Sequence, residues 1–251
     1  MRYFLKISFQ GAAYHGWQVQ PNDVSVQQTI EEALAMVLRQ ETPITGAGRT
    51  DAGVNAMTMF AHFDTAEPVV DTHRFVRSLN GILPRDIAIH DLLPVAADAH
   101  ARFDAMSRTY RYFAHTAKSP LLENVSWQCN PNLDFELMNE AARHLMDYED
   151  FTSFSKLHTD VKTNNCKISE ALWTRYDGMD ANVEQWVFTI TADRFLRNMV
   201  RAIVGTLVEV GNHKISVEEF CQIIERKDRC AAGTSMPAHA LYLWNVKYPY
   251  V

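Results

Sequence analysis

The stretch GAGRTDAGVNA, residues 46–56, is the point at which the fold class of this 251-residue chain is decided. Its glycines invite two phosphate-binding readings. A P-loop requires G-x-x-x-x-G-K-[ST], and the stretch holds no lysine. A dinucleotide fingerprint requires G-x-G-x-x-G opening a helix, but the sixth position is Asp51 and MTMFAHFDT, which follows, has strand character. Both readings fail. Two remain. In the plainer one TDAG is a turn, with Asp51 bonding its own backbone and Gly53 supplying a positive φ. In the other, the turn lifts one carboxylate out of a strand beside Arg49, and a nearby cation keeps an aspartate ionised for nucleophilic or base chemistry. Pattern alone favours the plain turn.

Outward from this turn, strands and helices interleave. Tyr3, Leu5, Ile7 and Phe9 alternate as on a half-buried strand. Ser25 and Gln28 form a capping-box pattern before a helix reaching about Arg39, and Asp71 opens a helix ending near LNGILP. DIAIHDL and MSRTYRYFAHT read as further strands. In the second half Asp134 begins a helix, LWTRYDG and VEQWVFTITA form a hairpin across GMDAN, and LRNMVRAIVGTLVEVG is strongly helical. Ser216 with Glu219 caps another helix, and ALYLWNVKY is a final strand. Recurring hairpins and adjacent strands favour α+β over a doubly wound sheet. A weak break near residues 94–105 divides the chain into an N-terminal half, 1–104, and a C-terminal half, 105–251.

The composition, 47% hydrophobic and 22% charged, is that of a globular protein. The first ten residues read as a strand and not as a secretory signal, and no apolar run is long enough to span a membrane, so a cytoplasmic location is expected. Cys129, Cys166, Cys221 and Cys230 show no C-x-x-C spacing and read as reduced. The ten histidines are scattered singly, so no metal is expected. A net charge of −6 argues mildly against a nucleic-acid partner, although a basic cleft can sit on an acidic body.

Two further regions carry charge in a suggestive pattern. In HARFDAMSRTYRY (100–112), Arg102, Arg108 and Arg111 interleave with Phe103, Tyr110 and Tyr112. On strands, such a pattern suits RNA, because guanidinium groups take phosphates while rings stack on bases. The plainer alternative is an exposed strand whose tyrosines point into the core. Strand alternation puts Arg108, Tyr110 and Tyr112 on one face. In ADRFLRNMVRAIVG, Arg194, Arg197 and Arg201 share a helical face if the helix begins that early. Arg201 lies in the most apolar helix of the chain, where a desolvated arginine needs a carboxylate or phosphate partner. Asp51 is a candidate for that partner.

Taken together, YHGWQVQ (14–20), GRTDAGV (48–54), HARFDAMSRTYRY, DFTSF (150–154), FLRNMVRAIVG (195–205) and ALYLWNVKY (240–248) occur in an order that resembles the TruA-type tRNA pseudouridine synthases. The resemblance runs nearly end to end. It implies two ferredoxin-like, βαβαββ-like halves forming one continuous mixed sheet with a central basic cleft. It also implies a homodimer acting on the anticodon stem-loop of tRNA, at uridines 38, 39 and 40, without cofactor. Asp51 matches the family's catalytic aspartate, Tyr110 the tyrosine that stacks on the target uracil, and Arg201 the arginine paired with the aspartate. Arg49 matches the arginine that fills the space left by the displaced nucleotide, and Leu243 falls where an aliphatic contact lies beneath the base. Arg102, Arg108 and Arg197 are expected to bind the RNA. Two positions depart from the family: Asn55 stands where histidine is frequent, which suggests an altered RNA contact, and Ala240 where glycine is usual.

The implied reaction breaks the bond from uracil N1 to ribose C1′ and joins C5 to C1′, so nothing is oxidised and no water is consumed. An ionised Asp51 has three routes: attack at C1′, addition to C6, or removal of the C2′ proton. Two competing functions are a non-catalytic RNA-binding protein built on paired ferredoxin-like sheets and a small-molecule hydrolase with an aspartate nucleophile. The hydrolase leaves the arginine–tyrosine strand unexplained.

Overall fold

The alternating run at the start of the chain forms strand β1 (Arg2–Phe9). Tyr3, Leu5, Ile7 and Phe9 are buried, as their period requires, but Phe4 on the opposite face is fully buried too. Tyr248 and Tyr250, from the end of the chain, pack edge-on against its ring at 5.2 and 6.0 Å. The computed structural model describes residues 1–156 and 163–251. It divides into two compact units, Met1–Met106 with Leu243–Val251, and Ser107–Tyr242.

In the first unit β1 is followed by α1 (Val26–Leu38), β2 (Thr45–Gly46), β3 (Asn55–Asp64), α2 (Thr72–Ile82) and β4 (Ile87–Val95). The strands run β4–β1–β3 with β2 on β3, and each of these pairs is antiparallel. A β-α-β-β-α-β chain with this strand order is a ferredoxin-like half. Both helices begin where a short polar side chain meets an orphan N–H. The Ser25 hydroxyl accepts from Gln28 N and the Asp71 carboxylate from Arg74 N. Helix α2 packs on the Tyr3 face of the sheet, with Phe75 stacked on Phe63 at 6.2 Å and 10°.

In the second unit the order is β5 (Ser107–His115), β6 (Trp127–Gln128), α3 (Phe135–Arg143), β7 (Ile168–Arg175), β8 (Gln185–Ala192), α4 (Met199–Gly211) and α5 (Val217–Arg226). The strands run β5–β8–β7 in antiparallel pairs, and β6 lies parallel to β5. Helix α4 is buried nearly all round, as its apolar composition demands. A Cβ at Gly205 would sit 1.8 Å from the Thr234 carbonyl oxygen, so only glycine lets the 233–236 segment lie against this helix. The last strand, β9 (Leu241–Lys247), contributes Leu243 onward to the first unit. Among the described residues no helix is long and apolar enough to cross a membrane.

Candidate active site

In the first unit, the turn between β2 and β3 carries Asp51. Its backbone is braced by the YHGWQVQ loop: Trp17 N donates to Thr50 O at 3.3 Å and Gly53 N donates to Tyr14 O at 3.4 Å. Within the turn Val54 N donates to Asp51 O at 3.1 Å, and Gly53 takes the positive φ expected of it, 78°. The two loops touch at backbone distance, since a Cβ at Gly16 would lie 2.4 Å from Thr50 O and one at Gly11 2.2 Å from Val54 O. Tyr14 is fastened from below, its hydroxyl donating to the Asp86 carboxylate at 2.7 Å. Burial and that hydrogen bond push the Tyr14 phenol above its ordinary range, so it stays a neutral donor. The YHGWQVQ residues therefore support the aspartate turn, a role that the sequence reading did not assign. The signal was present in Gly11 and Gly16, whose need for close backbone approach shows only against a partner loop.

Asp51 is half-buried on this turn and Arg49 is exposed. Asn55 is buried, with its amide oxygen accepting from Gly11 N at 2.8 Å. Leu243 is also buried, 2% exposed.

Arg102 and Phe103 do not lie on a strand. They occupy a turn ahead of β5, which begins at Ser107, so strand interleaving does not extend to them. Two imidazoles hold this turn. His62 Nδ1 accepts from Ala101 N at 3.2 Å, and His100 Nδ1 accepts from Arg102 N and Phe103 N at 3.1 and 3.3 Å. Asp104 closes it, accepting from His100 N and the Tyr250 hydroxyl at 2.7 and 2.8 Å. Burial, aided by the charges of Arg2 and His100, lowers the His62 pKa to about 4 and keeps its nitrogen an acceptor. Arg102 and Phe103 are both exposed, with the guanidinium carbon 5.9 Å from the ring centroid.

In the second unit β5 presents Arg108, Tyr110 and Tyr112 at alternate positions, opposite Ala192, Ile190 and Phe188 of β8. The two tyrosines then part company. Tyr112 is fully buried, as in the plainer sequence reading, and its hydroxyl has no hydrogen-bond partner among the described residues. Tyr110 is half-exposed and meets Phe195 edge-to-face at 5.1 Å and 85°. Arg108 donates to Asp193 O at 2.8 Å.

The expected shared helical face of Arg194, Arg197 and Arg201 does not form. Asn198 adopts a left-handed φ of 65°, so α4 starts at Met199 and leaves Arg194 and Arg197 in the preceding loop. Arg201 lies in the first turn of α4. Its Nε donates to Met236 O at 2.6 Å while its carbonyl oxygen accepts from Met236 N at 3.1 Å. Ser235 is held in turn by Asn198 and Arg229 at 2.6 and 2.9 Å. The 228–236 segment thus fixes the start of α4, and sequence reasoning passed it over. Among the described residues no three His, Cys, Asp or Glu side chains gather as metal ligands.

A family model described as tRNA pseudouridine synthase matches residues 6–104 and 141–249. A tRNA pseudouridine synthase A of Parabacteroides distasonis is 56% identical over 248 residues, spanning 99% of this chain and 96% of that protein. The protein of the same name from Porphyromonas gingivalis is 56% identical over 249 residues, 99% of this chain and 97% of that one. The Bacillus subtilis protein of that name is 40% identical over 253 residues, 99% of both chains. The match reaches both units and includes the Asp51 turn and the start of α4, and on it the chain belongs to the tRNA pseudouridine synthase family.

Proposed function

We propose that this chain, an isomerase of uridine in tRNA, acts at positions 38, 39 and 40 of the anticodon stem-loop, with Asp51 as nucleophile or base on a flipped uridine. The observation that carries the proposal is GRTDAGV at 48–54, with its aspartate on a turn held by neighbouring backbone rather than left to flex. A carboxylate already oriented reacts without first being ordered. Arg201 is the cation that keeps Asp51 ionised. Its anchoring to Met236 supports that role, because a guanidinium tied at Nε keeps its terminal nitrogens in one direction.

Tyr110 stacks on the uracil, Leu243 confines it from the opposite side, and Arg49 enters the gap left in the RNA. Arg102, Arg108 and Arg197 take phosphate oxygens. Extrusion of the uridine costs on the order of a few kcal/mol, part of which Arg49 offsets. In the reaction the N1–C1′ bond breaks, the C5–C1′ bond forms, C5 gives up its proton and N1 gains one. Atoms and electrons balance without a co-reactant. The chain works as a homodimer in the cytoplasm.

The test uses tRNA carrying tritium at uracil C5. The wild type is expected to release the label, and variants with uridine removed at positions 38, 39 and 40 together should release none. Asp51→Ala and Asp51→Asn should lose release by about 10⁴-fold or more while still binding tRNA. Full release by Asp51→Ala overturns the assignment, and release from tRNA lacking all three uridines overturns the positions.

A further inference from the structure

Helix α2 breaks the local rules that stabilise a helix, and it does so on one face. Its inner side is well fixed: Phe75 and Leu79 are buried, and the Asn80 amide bonds both the carbonyl oxygen and the N–H of Ile89 on β4, at 2.7 and 2.8 Å. At 100° per residue, His73, Arg74, Arg77 and Gly81 fall on the opposite side, and all four are exposed. His73 and Arg74 occupy the first turn, at the positive end of the helix, where the N-cap Asp71 is followed by no acidic residue. Among the described residues neither the Arg74 nor the Arg77 guanidinium has a hydrogen bond or an ion pair. Gly81 sits within the helix although a Cβ there would meet nothing within 4 Å. Glycine weakens a helix, and here no approach within the protein requires it. Arg85, also exposed, follows shortly after the helix ends.

Beyond the Asp71 cap, these departures cost stability without compensation inside the unit. A ligand outside it explains them. Unpaired guanidinium groups on a chain of net charge −6 select a polyanion, and a bare stretch of helix on the same ridge admits a bulky backbone closely. We infer that the Arg74–Arg77–Gly81 ridge is a second contact for tRNA, made to its phosphodiester backbone away from the reacting uridine. Arg74 and Arg77 take phosphate oxygens, and Gly81 lets the strand lie against the helix. Such contacts set register and affinity without reading sequence. The inference rests on tRNA being the substrate and is independent of the role given to Asp51.

The test measures equilibrium binding of full-length tRNA across a KCl series, for the wild type and for Arg74→Gln/Arg77→Gln. Loss of two phosphate contacts should lower the slope of log affinity against log salt by about 2. Affinity at moderate salt should fall roughly tenfold, with tritium release at saturating tRNA unchanged. Gly81→Glu, which removes no cation and meets open space, should weaken binding in the same direction. Unchanged slope and affinity in both variants overturn the inference. So does a change in molar mass by light scattering at constant slope, which would make the ridge a contact for a second copy. Should the wild type release no tritium while the slope effect persists, the catalytic proposal fails and this one stands.

Discussion

Helices α2 and α5 are of similar length and amphipathicity, yet they follow opposite logics. Helix α5 follows the local rules at its N-terminal end, although its C-cap Lys227 takes a left-handed φ of 52°. Ser216 and Glu219 close a complete capping box, Glu218 and Glu219 sit in its first turn, and Arg226 sits in its last. Its charges complement its dipole. Helix α2 has a cap at Asp71 but places His73 and Arg74 at its positive end and a glycine on its open face. The difference teaches where each helix is directed: α5 is satisfied within its own unit, whereas α2 is arranged for something outside. Arg201, in the first turn of α4, breaks the same dipole rule at a position the family match also covers. Violations of local rules are thus a guide to function in this chain.

The largest test of that contrast lies in the α5 core. Phe220 is fully buried and packs near Phe154 at 6.3 Å. Phe220→Ala should cost about 3–5 kcal/mol in denaturant unfolding, yet leave the tRNA affinity of the folded fraction unchanged. A selective loss of affinity would break the contrast.

Acid should separate the two units next. His62 is neutral in the folded protein, with its pKa lowered from 6.5 to about 4, so below pH 6.5 the unfolded chain takes a proton that the folded one refuses. This stabilisation is fully present above pH 6.5 and is lost as pH falls to about 4, to the extent of about 3 kcal/mol. Hydrogen exchange at pH 5 should show the Ala101 amide losing protection before those of α5. His62→Asn should flatten the pH dependence.

Smaller effects sharpen the comparison at single residues. Ser216→Ala removes half the capping box and should cost about 1 kcal/mol, with no change in tRNA binding. Gly81→Ala should act in the opposite sense, adding about 1 kcal/mol in thermal or denaturant unfolding. Arg74→Glu should add ~0.3–1 kcal/mol by matching the dipole, while weakening tRNA binding at low salt. If Arg74→Glu destabilises the fold, the cation has a partner within the protein and the two helices are alike.

Sequence by itself determined much of this protein. The caps at Ser25, Asp71, Asp134 and Ser216 mark helix starts because a short side chain satisfies an N–H only three residues away. The period-2 runs that become β1 and β5 were legible for the same local reason, and GRTDAGV together with the other family stretches was specific enough to point to the family. Tertiary structure decided what local signals leave equal. Tyr110 and Tyr112 share a strand face and a neighbourhood of arginines, yet one is half-exposed and the other sealed, because burial depends on which distant elements cover each position. Arg194 and Arg197 carried a helical spacing that Asn198 interrupts with a left-handed turn, tied to Ser235 from far along the chain. The brace beneath Asp51 and the Met236 anchor of Arg201 are contacts between segments separated by some 35 residues. Nearest-neighbour chemistry acts over one helical turn, so it can set where elements begin but not which side chains meet.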